Sequence, residues 1–248
     1  MTKYLYGLLG HPLGHSFSAA YFSNKFQELG ASDHAYIHFD LPSLDLIHDV
    51  LEAHPELKGF NVTIPYKEQI IPLLDGLDAE AKLIGSVNCV KISENGERTG
   101  YNTDAYGFYH SIKPFLENKY ERALILGTGG SAKAVSYVLK KLGIKVFFAT
   151  RNPRESYHLH YSEITENNIA FFPLIVNCTP VGMAPNIDSI PPLPYNALTS
   201  DHFLYDLIYN PEETLFLRKG KEAGATVANG KLMLQLQAEK SWQIWKSL

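Results

Sequence analysis

Apolar positions along the chain fall into two kinds of run. Short, nearly unbroken stretches lie at Lys3–Leu9, Tyr36–Phe39, Gly59–Ile64, Ala123–Leu126, Val146–Ala149, Leu174–Val176, Phe203–Leu207 and Thr226–Ala228. Such stretches are the pattern of strands covered on both faces, as in a parallel sheet. Between them, apolar residues recur at helical spacing over Ala19–Leu29, Leu44–Leu51, Ile70–Leu77, Ala79–Ile84, Ala105–Leu116, Ser131–Leu142 and Thr214–Ala223. A last amphipathic helix runs from Asn229-Gly230-Lys231 to Trp245. Gly85–Val90 reads as extended, and Asn95-Gly96 marks a hairpin turn. Strands alternating with helices place the chain in the α/β class.

The stretch Ala123–Leu126 is followed by Gly127-x-Gly129-x-x-Ala132 and then by helical spacing. A first glycine permits a tight turn, a second admits phosphates, and a small third residue lets helix and strand pack closely. The helix N-terminus attracts the anion. An ordinary glycine-rich turn would look similar, but the flanking strand and helix favour a dinucleotide site. Because this turn lies at mid-chain, about 120 residues precede it that a nucleotide fold does not need, and they read as a separate αβ domain ending near Asn102. Arg151 ends the next strand 24 residues after Gly127, where an NAD enzyme would carry an acid for the ribose 2′-hydroxyl. A guanidinium there suits a 2′-phosphate. Asn177 lies only 26 positions after Arg151, so the nucleotide domain reads as trimmed.

Other candidates have plain alternatives beside the functional ones. Ser16 and Ser18 introduce a helix, where Ser18 would serve as its cap. Lys67 follows Pro65 at a strand's carboxyl end, the edge where open α/β sheets bind ligands, yet it could be simply solvated. Asp104, or Thr103 equally well, could cap the helix that follows. Gln237 could face a cleft or water.

Composition narrows the field. The chain has 248 residues, 45% hydrophobic and 19% charged, the make-up of an ordinary globular protein. A net charge of −4 without a dense Lys/Arg face argues against nucleic acid or an anionic membrane as partner. Met1–Gly10 is too short for a signal peptide or a membrane span. Cys89 and Cys178, both in apolar segments, fit reduced thiols of a cytoplasmic protein. Ten histidines are scattered without metal-ligand spacing, so no metal site is expected.

These motifs, in this order, resemble the shikimate dehydrogenase family almost end to end. Gly10-x-Pro12-x-x-His15-Ser16-x-Ser18 is similar to the motif whose two serines bind the substrate carboxylate. Asn61-Val62-Thr63-x-Pro65-x-Lys67 resembles the most diagnostic motif, which carries the catalytic lysine. Gly85-x-Val87-Asn88 supplies an asparagine for ring hydroxyls, and Gly100-x-Asn102-Thr103-Asp104 the aspartate paired with the lysine. Gly127-Thr128-Gly129-Gly130 matches the pyrophosphate turn, with Ser131 and Ala132 opening its helix. Thr150, Arg151 and Asn152 stand at the 2′-phosphate position. Asn177-Cys178-Thr179-Pro180-Val181-Gly182-Met183 resembles the loop beside the nicotinamide. Asp206-Leu207-x-Tyr209-x-Pro211-x-x-Thr214 and Gly230-x-x-Met233-Leu234-x-x-Gln237 complete the set. Departures lie at Ala19, Phe22 and Ser23, beside the carboxylate pocket, and at Thr150, where the family usually has Asn.

The resemblance implies an N-terminal substrate domain over 1–102 and a Rossmann-like, doubly wound NADP-binding domain over 103–229, flanking a cleft. The C-terminal helix, 230–248, would return to the first domain. It implies reversible NADPH-dependent reduction of 3-dehydroshikimate to shikimate, on the path to chorismate and the aromatic amino acids. Lys67 and Asp104 would be catalytic. Ser16, Ser18, Thr63, Asn88, Tyr209 and Gln237 would join them in holding substrate. Gly127 to Ala132, Thr150 to Asn152, Thr179, Val181, Met183, Leu207, Gly230 and Met233 would hold the cofactor. A monomer or homodimer is expected. Two other readings stand: a quinate/shikimate dehydrogenase using NAD or NADP, and a nucleotide-binding regulatory homologue without turnover. Retention of Lys67 and Asp104 argues against the second.

Overall fold

A computed structural model describes residues 2–14, 17–116 and 120–247. Its contacts divide the chain into two compact units, Met1–Thr103 with Ala238–Leu248, and Asp104–Gln237.

The first unit carries β1 (Tyr4–Gly10), α1 (Phe17–Glu28), β2 (His34–Asp40), α2 (Ile47–Ala53), β3 (Leu57–Val62), β4 (Gly76–Leu77), α3 (Ala79–Ile84), β5 (Cys89–Ile92) and β6 (Arg98–Tyr101). The strands form one sheet in the order β2-β1-β3-β5-β6-β4. Strands β2, β1 and β3 run parallel, and β5 and β6 form the antiparallel hairpin expected at Asn95-Gly96. Successive strand residues face opposite ways, so β1 feeds two cores. Leu5 and Leu9 pack with Phe39, Ile47, Phe60 and Ile70, while Tyr6 and Leu8 pack with Phe22, Phe26, Trp242 and Trp245. That double burial is why β1 reads as an unbroken apolar run. The stretch Ile70–Leu77 corrects the helical expectation. Pro72 and Asp75-Gly76 stop any helix after a single 3₁₀ turn at Ile71–Leu73, and Gly76–Leu77 joins the sheet beside β6.

The second unit holds most of α4 (Thr103–Ile112), then β7 (Arg122–Leu126), α5 (Gly130–Lys141), β8 (Lys145–Thr150), β9 (His158–His160), β10 (Leu174–Asn177), β11 (Phe203–Asp206), α6 (Leu215–Glu222), β12 (Thr226–Ala228) and the first part of α7 (Lys231–Lys246). The sheet order is β12-β11-β10-β7-β8-β9, and every pairing is parallel. This is the open, doubly wound arrangement, with its order reversing between β7 and β10. From Arg151 to β10 the chain forms only the short β9 and two 3₁₀ turns, at Tyr161–Glu163 and Ile169–Phe171, with no α-helix. No helix of the described residues is long and apolar enough to cross a membrane.

Candidate active site

In the first unit, the functional candidates sit where parallel strands end. Beyond β3, Thr63 N–H donates to Leu9 O at 2.8 Å, and Tyr66 N–H donates to Thr63 O at 2.9 Å. Tyr66 is buried, and its hydroxyl donates to Leu41 O at 2.5 Å. The turn is thereby pinned one residue before Lys67, whose own carbonyl accepts from Val87 N–H at 2.8 Å. Lys67 is half-buried. Ser18 lies inside the first turn of α1 and is 8% exposed, so it does not cap that helix. Its hydroxyl instead bonds that of Tyr36, whose phenol burial pushes well above its ordinary pKa. His15 and Ser16 lie outside the described residues.

A buried polar chain runs on from Tyr36. The Tyr36 hydroxyl donates to Asn61 Oδ1 at 3.0 Å, and Asn61 Nδ2 donates to Ser241 Oγ at 2.9 Å. Ser241 Oγ lies 3.2 Å from Thr103 Oγ1. Asn88 takes the Thr103 N–H on its Oδ1 at 2.6 Å and donates from Nδ2 to Thr103 Oγ1 at 3.0 Å. A buried polar group left unpaired costs about 1–3 kcal/mol, so this network fixes the rotamers of its members. Two of them, Ser18 and Asn88, are substrate candidates. The hub, Asn61, was given no role by the sequence. An asparagine inside a strand is disfavoured unless something holds it, and that was the available signal.

Asp104 is 6% exposed and belongs to the second unit. Helix α4 begins at Thr103, so neither Thr103 nor Asp104 is its cap, correcting that alternative. The residue before the helix is Asn102, whose Nδ2 donates to Ser86 O at 2.8 Å. Asp104 lies in the first helical turn, where the helix dipole favours a carboxylate. Ser131 Oγ, in the first turn of α5, donates to Asp104 Oδ2 at 3.5 Å. The candidate acid and the glycine turn are therefore neighbours within one unit.

The turn itself fits a dinucleotide. Gly127 has φ +94°, a left-handed conformation that L side chains rarely adopt. A Cβ built on Gly129 meets no atom within 4 Å, which leaves room for a phosphate. Gly129 is the N-cap of α5 and supplies no side-chain bond to it, so the helix start is open to an anion. Ala132 is buried against the sheet, as the fingerprint requires, and Thr128 and Gly130 complete the loop. At the end of β8, Thr150 Oγ1 accepts from Asn152 N–H at 3.3 Å, which holds the exposed Arg151 in a short turn.

At the end of β10, Asn177 Oδ1 accepts from Thr179 N–H at 3.0 Å and Thr179 Oγ1 at 2.7 Å, and its Nδ2 donates to Val181 O at 3.3 Å. Met183 is 43% exposed. Leu207 N–H donates to Asn177 O at 3.0 Å. A Cβ on Gly230 would lie 2.0 Å from Leu207 O, so only glycine fits there. Met233 and Gln237 are buried on α7, and Gln237 Nε2 donates to Leu234 O at 3.0 Å, so this amide does not face water. Tyr209 is half-buried.

Asp206 opens one of the family-like motifs, which assign it no role of its own. It is fully buried, and burial raises its carboxyl to about 6. Because this folded-state value lies above the ordinary 3.8, the folded protein takes up a proton that the unfolded chain does not hold between those pH values. The linked stability is fully present below about 3.8 and lost as pH rises through about 6. The stability of the wild type minus that of Asp206→Asn should therefore rise by about 1–3 kcal/mol as pH falls from 7 to 4. Urea unfolding across that range checks this, and a flat difference would contradict it.

Comparison with known proteins bears on the family and the fold. The family model described as the shikimate dehydrogenase substrate binding domain matches residues 8–90. Shikimate dehydrogenase (NADP(+)) of Methanococcus aeolicus is 39% identical over 259 residues, covering 98% of this chain and 92% of that protein. A crystal structure of a shikimate dehydrogenase in complex with NADP+ superposes with a TM-score of 0.87 at 32% identity, over 99% of this chain and 91% of that one. Quinate dehydrogenase from Corynebacterium glutamicum, in complex with NAD, gives 0.86 at 28% identity, over 100% and 95%.

Proposed function

The chain belongs to the shikimate dehydrogenase family, and on that premise we propose that it catalyses the reversible NADPH-dependent reduction of 3-dehydroshikimate to shikimate. The first unit serves as the substrate domain and the second as the NADP domain. When bound, NADPH supplies the hydride that reduces the ring ketone. Lys67 delivers the proton that the forming alkoxide requires, and its charge stabilises the negative oxygen as it develops. Asp104 serves the same step by orienting the lysine. In the first unit Ser16 and Ser18 take the carboxylate, and Thr63 and Asn88 take ring hydroxyls. Tyr209 and Gln237 satisfy the remaining polar atoms of the substrate.

For the cofactor, Gly127 to Ala132 receive the pyrophosphate and Thr150, Arg151 and Asn152 the 2′-phosphate. Thr179, Val181, Met183, Leu207, Gly230 and Met233 border the nicotinamide. The observation that supports this reading is the approach of Asp104 to Ser131 at 3.5 Å, in the first turn of the helix that follows the glycine turn. Neither Cys89 nor Cys178 is in a disulfide, in keeping with a cytoplasmic enzyme. It works as a monomer or a homodimer, which sedimentation distinguishes.

The test is steady-state turnover of the purified protein with shikimate and NADP+, followed by the absorbance of the reduced nicotinamide. Quinate with NAD+ is run in parallel. Faster turnover of shikimate with NADP+ is expected. Faster turnover of quinate with NAD+ would make it a quinate dehydrogenase, and no turnover of either would make it a regulatory homologue. The serine assignments have their own check. Ser16→Ala and Ser18→Ala should each raise KM for shikimate. Ser18→Ala should cost only about 0.5–1.5 kcal/mol of stability, the worth of its bond to Tyr36. An unchanged KM would remove both residues from the carboxylate site.

A further inference from the structure

Given NADP as the cofactor, as proposed above, we infer that Asp206 is a positioning residue for the nicotinamide half of the site. Asp206 and Asn177 are partners at the last position of the adjacent strands β11 and β10. That is the carboxyl edge where an open parallel sheet binds its ligand. The Asp206 side chain is 0% exposed, and no Lys, Arg or His among the described residues forms an ion pair with it. A carboxylate buried without a cation is expensive for a fold, and a hydrophobic residue would pack there more cheaply. A carboxylate at this place asks for a purpose beyond stability.

The hydrogen bonds supply one. Three donors converge on the carboxylate from three segments. Oδ1 accepts from Asn177 Nδ2 and from Ile208 N–H, each at 3.0 Å, and Oδ2 accepts from Thr214 Oγ1 at 2.6 Å. An ionised carboxylate only accepts, so the Asn177 amide must turn its nitrogen toward Asp206 and its oxygen toward Thr179. That orientation receives both the N–H and the hydroxyl of Thr179. The charge on Asp206 thus sets the amide that shapes the loop Thr179–Met183. The second bond fixes the turn after β11, and Ile208 O in turn accepts Gly230 N–H at 3.1 Å at the start of α7. The third holds Thr214, which caps α6 by accepting from Leu217 N–H at 3.3 Å and sits beside Gly182 of the same loop. Every segment assigned to the nicotinamide is tied to one buried acid, whereas the glycine turn meets this network only at its first residue, where Gly127 packs against Thr179, and its helix start Gly129–Ala132 makes no hydrogen bond to Asp206.

The experiment compares wild type, Asp206→Asn, Thr214→Val and Thr214→Ser. Each is titrated with NADPH and with adenosine 2′,5′-bisphosphate, which reports the adenine side alone, and kcat is measured with shikimate. Asp206→Asn places an N–H₂ against one of three donors, so it should weaken NADPH roughly tenfold or more and lower kcat. The bisphosphate affinity should stay within about twofold. Thr214→Val should show the same split to a smaller extent, and Thr214→Ser, which keeps the hydroxyl, should match wild type. If Asp206→Asn does not fold, Thr214→Val against Thr214→Ser decides on the same criterion. Equal loss of both ligands, or variants indistinguishable from wild type, would overturn the assignment while leaving the activity in place. A wild-type protein that binds the bisphosphate and NADPH but turns over nothing would overturn the functional reading, with the NADPH split still decisive for Asp206.

Discussion

Lys67→Ala should lower kcat by about 10²–10⁴, the usual contribution of a positioned acid–base group, and change KM for shikimate far less. The reason begins in the chain. Pro65 stands in the turn after β3, and the buried Tyr66, bonded to Leu41 O, leaves the next residue little freedom. Lys67 is bound on its other side through its carbonyl and Val87 N–H. These bonds fix the backbone from which the lysine side chain starts, and orientation of that kind lowers a barrier to proton transfer. Lys67→Arg should rescue poorly, because a guanidinium does not give up its proton in this pH range. Were Lys67 only a solvated charge, Lys67→Ala would turn over like the wild type, and steady-state kinetics at saturating cofactor separates the two.

The second large effect is expected at the 2′-phosphate. Arg151 follows β8 in the turn that Thr150 closes through Asn152 N–H. A charged hydrogen bond of this kind is worth about 1.5–3 kcal/mol. Arg151→Ala should therefore weaken NADPH roughly 10- to 150-fold and leave NADH nearly as it was. Equilibrium titration with both cofactors tests it. Equal affinities of the wild type for NADPH and NADH would remove Arg151 from the cofactor site.

Much of the architecture was legible because it rests on local pattern. Leu5 to Leu9 and Ala123 to Leu126 read as strands because both their faces are covered, which leaves no polar alternation. The glycine turn was legible because its residues answer to backbone geometry and to a ligand rather than to distant packing. What was misread depends on contacts far along the chain. Gly76–Leu77 is a strand only because β6 lies alongside, and Ile70–Leu74 mimic helical spacing up to that point. His158–His160 has one apolar residue, and only its pairing with β8 makes it a strand. Ser18 and Asp104 looked like caps because helix starts cannot be placed to one residue from sequence, and each falls just inside its helix. Asn61 and Asp206 were invisible as hubs, since their partners Ser241, Asn177 and Thr214 come from elsewhere in the chain.

The most direct test of the mechanism is a double-mutant cycle on Lys67 and Asp104, which are 37 positions apart in the sequence. Lys67→Ala, Asp104→Asn and the double variant are assayed for kcat with shikimate and NADP+, with thermal unfolding as a control for folding. If the two residues serve one proton transfer, each single variant is slow. The double variant is then within about tenfold of the slower single one, as for groups that act as a unit. Two single effects that multiply in the double variant would mean that lysine and aspartate act independently, and the proposed proton transfer would be wrong.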